Sequence, residues 1–142
     1  MLADPRAVND VLDIAVAAAA QTQLIRAVAL VGSRAAGTAR PDSDVDLVFL
    51  VSEKQSFAEG DAWRQFAPPG GQLIRTKQWG VVTERRVRFA SGVELELNFA
   101  PLSWACTEPL DAGTHRVVLD GMRPLYDPDR LLAALADAVA RA

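Results

Sequence analysis

The 142-residue chain holds one cysteine, Cys106, and one histidine, His115. A lone cysteine closes no intrachain disulfide, and a cysteine-based metal cluster is excluded. His115 has no histidine or cysteine partner motif, so a metal role there is not expected, and Cys106 reads as a small buried hydrophobe. Long apolar runs are also missing. The most apolar stretches, Val11–Ala20 and Ala27–Val31, fall short of the roughly 20 residues that a bilayer span requires. The start, MLADPRAVND, carries charges where a signal peptide needs an apolar run. The expectation is a soluble cytoplasmic protein in a reducing compartment, without a membrane partner.

An excess of positive charge is lacking too. Fifteen Lys and Arg face eighteen Asp and Glu, a net charge of −3, which makes duplex nucleic acid an unfavourable partner. No internal repeat, low-complexity tract or dividing linker appears, so residues 1–142 are expected to form one domain. What is present is globular composition, 50% hydrophobic and 23% charged, which excludes disorder as the default.

Two proline-led helices are predicted at the ends of the chain. Asp4-Pro5 and Asp127-Pro128 each place a capping acceptor before a proline suited to the first helical position. Val8, Val11, Leu12, Ala15 and Val16 then repeat at helical spacing, as do Leu131, Leu132, Leu135, Ala138 and Val139. Between them, Arg26–Val31 and Val45–Val51 are nearly continuous apolar runs, suited to strands covered on both faces. Val81–Phe89 and Val93–Phe99 flank Ala90-Ser91-Gly92 as a hairpin. In the second of these strands Val93, Leu95, Leu97 and Phe99 alternate with Glu94, Glu96 and Asn98, giving one core face and one acidic face. A short helix is expected near Phe57–Phe66, followed by a loop at Ala67–Gly71. The mixed order of helices, strands and hairpin predicts an α+β fold with a mixed sheet and flanking helices.

The chemistry concentrates in Val31–Leu50, VGSRAAGTARPDSDVDLVFL. Gly32-Ser33 ends a strand, and Gly37 follows a short Ala-rich turn. Glycine at Gly32 lets the backbone approach a ligand closely, and free amides at a helix start at Ser33 suit a phosphate. In Ser43-Asp44-Val45-Asp46 the two aspartates are i and i+2 on one strand, so they project to the same face. Adjacent carboxylates repel unless a cation lies between them, and oxygen-only ligands suit Mg²⁺ or Mn²⁺. The acidic face of Val93–Phe99 offers a third carboxylate: Glu96 as first choice, Glu94 in reserve.

Gly32-Ser33, Gly37 and Ser43-Asp44-Val45-Asp46-Leu47 resemble the G-S-x-x-x-G…S-D-x-D-L signature of the DNA polymerase beta-like nucleotidyltransferases. The small size of the chain is similar to the minimal nucleotidyltransferases of prokaryotes. The resemblance implies the palm-like fold of that superfamily and a two-metal transfer of a nucleoside monophosphate, AMP from ATP, to a hydroxyl. It implies Asp44, Asp46 and Glu96 as catalytic metal ligands for two Mg²⁺, with Mn²⁺ as a substitute. Gly32 and Ser33 would hold the phosphates of the nucleotide, with Arg34, Gly37 and Ser43 alongside. The signature's third acid is often aspartate; here the strand offers only glutamates.

Only Pro101–Ala142 follows the third-acid strand. The acceptor pocket is therefore expected to be shallow, formed at a homodimer interface, or supplied by the acceptor itself. The last option fits a helical partner protein, as in toxin–antitoxin pairs; a small molecule such as an antibiotic is the alternative, and a non-catalytic nucleotide-binding or antitoxin module is a third reading. Arg34 and Arg40 flank the phosphate site. Arg85, Arg86 and Arg88 are expected to pair across strands with Glu94 or Glu96. Trp63, Trp79 and Trp104 are expected to pack, with one of them free to stack on a ring.

Overall fold

The computed structural model describes residues 5–53, 57 and 60–142. Helix α1 (Pro5–Ala20) leads into strand β1 (Ile25–Val31), a single turn α2 (Ser33–Ala36) and strand β2 (Val45–Val51). After a 3-10 turn at Ala62–Phe66 come β3 (Gln72–Trp79), β4 (Val82–Arg88) and β5 (Glu94–Pro101). Helix α3 (Ala112–Asp120), strand β6 (Met122–Tyr126) and helix α4 (Leu131–Arg141) complete the chain. The six strands form one sheet in the order β3-β4-β5-β2-β1-β6, in which β2 and β5 run parallel and the other neighbours antiparallel. This is the mixed sheet with flanking helices that the residue pattern predicts.

The continuous apolar runs explain why β1 and β2 lie centrally. Val28, Leu30, Val45, Leu47 and Phe49 pack with α1 on one face, whereas Ala27, Ala29, Val48 and Leu50 pack with Leu132, Leu135 and Trp104 on the other. Burial on both faces leaves no solvated side, so the polar/apolar alternation seen in β5 is absent here. On the α1 side, Phe49 stacks on Phe99 with ring centroids 5.1 Å apart, and Phe66 closes over both. The 3-10 turn thus serves to seat Trp63 and Phe66, which are fully buried.

Three local expectations are corrected. Strand β3 was not foreseen: its residues QLIRTKQW are almost all exposed, so neither face carries an apolar repeat, and only pairing with β4 makes it a strand. The last helix begins at Leu131 rather than at Pro128, because Arg130 takes a left-handed conformation (φ 58°). Asp127 still caps it from farther back, accepting from the amides of Leu132 (3.1 Å) and Ala133 (2.9 Å). Cys106 is exposed, since the 3-10 turn at Leu102–Ala105 buries Trp104 and leaves the next residue outside. The proposed Asp4 cap lies outside the described residues, as do positions 58 and 59 of the short helix expected near Phe57–Phe66.

Candidate active site

The parallel pairing of β2 with β5 builds the site. In that register Asp46 stands opposite Glu96, so the two carboxyls project side by side from the same face of the sheet. Asp44, just before β2, joins them: one oxygen from each of Asp44, Asp46 and Glu96 lies within 4.8 Å of the others. Glu94 does not enter this group. It is held by Arg86 (2.9 Å) and Arg88 (2.8 Å) on the neighbouring strand, whereas Glu96 is the glutamate that clusters with the two aspartates.

β1 supplies the other wall. Val31 pairs with Asp46, and Gly32 follows in a backbone conformation (φ 75°, ψ −157°) that side-chain-bearing residues avoid. A Cβ at Gly32 would stand 2.6 Å from Asp46 Oδ2, so glycine is what allows the turn to approach the carboxylate. Ser33 then opens α2, whose Ala35 and Ala36 amides bond back to the Gly32 carbonyl at 3.1 and 3.0 Å. Gly37 ends that turn in the left-handed region (φ 79°).

Arg34 and Ser43 are both engaged by the turn that precedes Asp44. The Arg34 guanidinium donates to the carbonyls of Ser43 (2.7 Å) and Pro41 (3.4 Å), and it lines a groove beside α1 with Arg40 rather than the cleft that holds Asp46. Ser43 Oγ accepts from the Arg40 amide at 2.8 Å. Both residues fix the turn at 40–43 that delivers Asp44, because a polar loop without a strand partner must satisfy its own carbonyls and amides.

Asp46 and Glu96 border a cleft of about 400 Å³ whose lining includes Gly32, Glu84, Arg86, Asn98, Trp79 and Trp104. Arg75 and the Trp79 indole N–H both donate to the buried Glu84, at 2.7 and 2.8 Å. Of the three tryptophans, Trp63 and Trp104 are packed, whereas Trp79 is half exposed at the cleft. Glu84, Arg75 and the contact of Arg86 with Asp44 were missed in the sequence. The available signal was that Glu84 and Arg86 are i and i+2 on β4 and therefore share the face of Glu96.

Electrostatics fit a cation. Burial, followed by the repulsion of Asp46, pushes the Glu96 carboxyl up to about 8. Burial likewise raises Asp46, helped by the charge of Asp44. Among the described residues the buried Asp46 Oδ1 has no hydrogen-bond partner, and natural interiors pair such atoms with a donor or an ion. Three clustered carboxyl groups form a hard-oxygen set suited to Mg²⁺ or Mn²⁺.

A pH dependence follows. Glu96 keeps its proton in the folded protein well above the ordinary 4.5 at which the unfolded chain releases it. Folded protein thus binds more protons than unfolded between about pH 4.5 and 8, and stability falls as pH rises through that window. Chemical denaturation in chelator should show a loss of roughly 1–2 kcal/mol between pH 5 and 8, after allowance for solvent screening. Glu96→Gln should flatten the slope; an equal slope in that variant would assign it to other groups.

The sequence of residues 6–108 matches the streptomycin adenylyltransferase family. The chain belongs to that family. It is thereby a member of the DNA polymerase beta-like nucleotidyltransferase superfamily, as its Gly-Ser and Asp-x-Asp segments suggest. A search of curated proteins gives no match. Among solved structures, an aminoglycoside 6-adenyltransferase from Bacillus subtilis aligns at TM-score 0.51 and 23% identity, over 69% of this chain and 36% of that one. A cytoplasmic RNA terminal U-transferase aligns at TM-score 0.51 and 14% identity, over 84% of this chain and 34% of that one. The Cid1 poly(U) polymerase gives TM-score 0.51 and 14% identity, over 83% and 35%. The chain thus spans about a third of the length of these neighbours, which share its nucleotidyltransferase fold. Among the described residues no helix is long and apolar enough to cross a membrane.

Proposed function

We propose that this streptomycin adenylyltransferase family member transfers AMP from ATP to a hydroxyl, releasing pyrophosphate. The observation that carries the reading is the convergence of Asp44, Asp46 and Glu96, with the unpartnered Asp46 Oδ1, beside the close-approach glycine Gly32. Asp44, Asp46 and Glu96 would hold two Mg²⁺ ions. When bound, such ions neutralise the charge that builds on attacking and leaving oxygens during in-line displacement.

The chain's own residues supply the rest. Gly32 and Ser33 would receive the phosphates, with Gly32 bringing bare backbone to the cleft. The acceptor hydroxyl oxygen attacks the α-phosphorus, the bond to the pyrophosphate breaks, and the hydroxyl proton passes to Glu96.

Two acceptor classes fit. A hydroxyl on a partner protein, as in toxin–antitoxin pairs, needs only an open cleft. A small molecule is favoured by the family match, and streptomycin is the first acceptor to try.

Calorimetric titration with a non-hydrolysable ATP analogue, with and without Mg²⁺, tests the reading. Wild type should bind in a metal-dependent manner, and the Asp44→Asn/Asp46→Asn double variant should not. Failure of wild type to bind with Mg²⁺ present would sink it.

A further inference from the structure

The cleft contains a cation of its own that the proposed reaction does not use. Arg86 Nη1 donates to Asp44 Oδ2 at 2.8 Å and to Glu94 Oε1 at 2.9 Å, and Nη2 donates to Glu96 Oε2 at 2.6 Å. Its Nε lies 3.6 Å from Glu84 Oε2. One guanidinium is therefore set among four carboxylates, of which Asp44 and Glu96 belong to the metal-ligand triad and Glu84 and Glu94 do not. The side chain is 18% exposed and stands on β4, a strand paired on both sides, by β3 and by β5. It is fixed in place rather than loosely draped over the site.

A guanidinium cannot lose its proton, and it spreads one positive charge over a rigid fork. That charge answers part of the repulsion among Asp44, Asp46 and Glu96, but the fork leaves Asp46 Oδ1 without a donor. Arg86 holds Asp44 and Glu96, two of the three carboxyl groups that could hold a metal. The two cations compete for the same pair of carboxyl groups.

We propose that Arg86 is a built-in surrogate for the metal: it holds Asp44 and Glu96 while the site is metal-free and releases them as metal binds, so that loading and Arg86 release are one coupled event. The inference rests on the metal-dependent reading above. Arg86 keeps partners after release, because Glu94 and Glu84 stand outside the triad. Arg86 is thus a positioning residue that sets metal affinity, lowering it below that of the bare carboxylates while keeping the metal-free site from repelling itself apart.

Mg²⁺ titration by calorimetry on wild type, Arg86→Gln and Arg86→Lys tests this. Arg86→Gln should bind Mg²⁺ about tenfold more tightly, and its melting point in chelator should fall below wild type and recover when Mg²⁺ is added. Arg86→Lys, which keeps the charge but loses the fork, should lie between. Equal or weaker binding by Arg86→Gln overturns the proposal. Should that variant fail to fold, the arginine Nε–H resonance of Arg86 in wild type gives the answer by NMR. It should shift with Mg²⁺ at the calorimetric midpoint; an unmoved resonance while Mg²⁺ binds overturns the surrogate role and leaves the metal site intact. Absence of Mg²⁺ binding by wild type, with or without the ATP analogue, overturns this role and the metal-dependent function together.

Discussion

Asp46→Asn is expected to lower nucleotidyl transfer about a thousandfold, the loss that corresponds to several kcal/mol of transition-state charge stabilisation. The sheet should remain folded. Asp46 lies opposite Glu96 on paired strands, and its carboxyl is raised by burial and by Asp44. A charged form that the folded protein disfavours is one whose removal does not destabilise the metal-free state. Asparagine keeps the shape, brings an amide donor toward Glu96, and abolishes one anionic ligand. The variant should therefore melt in chelator at or above the wild-type temperature while losing the stabilisation that Mg²⁺ confers. Pyrophosphate release from ATP, measured with an acceptor that supports wild-type turnover, gives the rate. A variant that retained more than about a tenth of wild-type activity would remove Asp46 from the reaction.

The opposite signs of those two effects, on rate and on metal-free stability, separate a functional carboxylate from a structural one. The same separation explains how the site came to be legible in the sequence. Asp46 interrupts a run that is otherwise apolar on both faces, Asp44 stands two residues before it on the same face, and Gly32-Ser33 ends a second such run. Glu96 was harder, because β5 alternates cleanly and offers two glutamates on one face. Only the register of β5 against β2 sets Glu96 opposite Asp46 and into one cluster with the aspartates, and no single-strand pattern contains that information.

β3 and Glu84 show the other limit. A strand with both faces exposed has no hydrophobic period to read, so its existence depends on backbone pairing with β4. Without β3 nothing in the sequence brings Arg75 and Trp79 to the buried Glu84 that they satisfy. Arg34 shows a related limit: it follows Gly32-Ser33 in sequence, and its reach carries the guanidinium to the carbonyls of the 40–43 turn. Long side chains act where their ends lie, which sequence adjacency does not fix.

Gly32→Ala carries the second large effect, and it joins the fold to the chemistry. The φ of 75° and ψ of −157° at Gly32 lie in a region essentially restricted to glycine, so alanine there should destabilise the protein by roughly 1–3 kcal/mol. The new methyl would also meet Asp46 Oδ2 at 2.6 Å, well inside van der Waals contact. The carboxylate end is the softest thing in its path, so Asp46 rather than the backbone should give way. A ligand displaced by about 1 Å is expected to lower turnover about a hundredfold. Gly70→Ala separates the two causes. Gly70 also has positive φ, at 91°, but nothing lies within 4 Å of a Cβ built there, so that variant should lose stability and keep its rate per folded molecule. Melting curves and pyrophosphate release on both variants make the comparison. If Gly32→Ala lost stability yet retained wild-type turnover, the close approach of the turn to Asp46 would be a packing detail; if it lost both, the glycine is what sets the carboxylate in place.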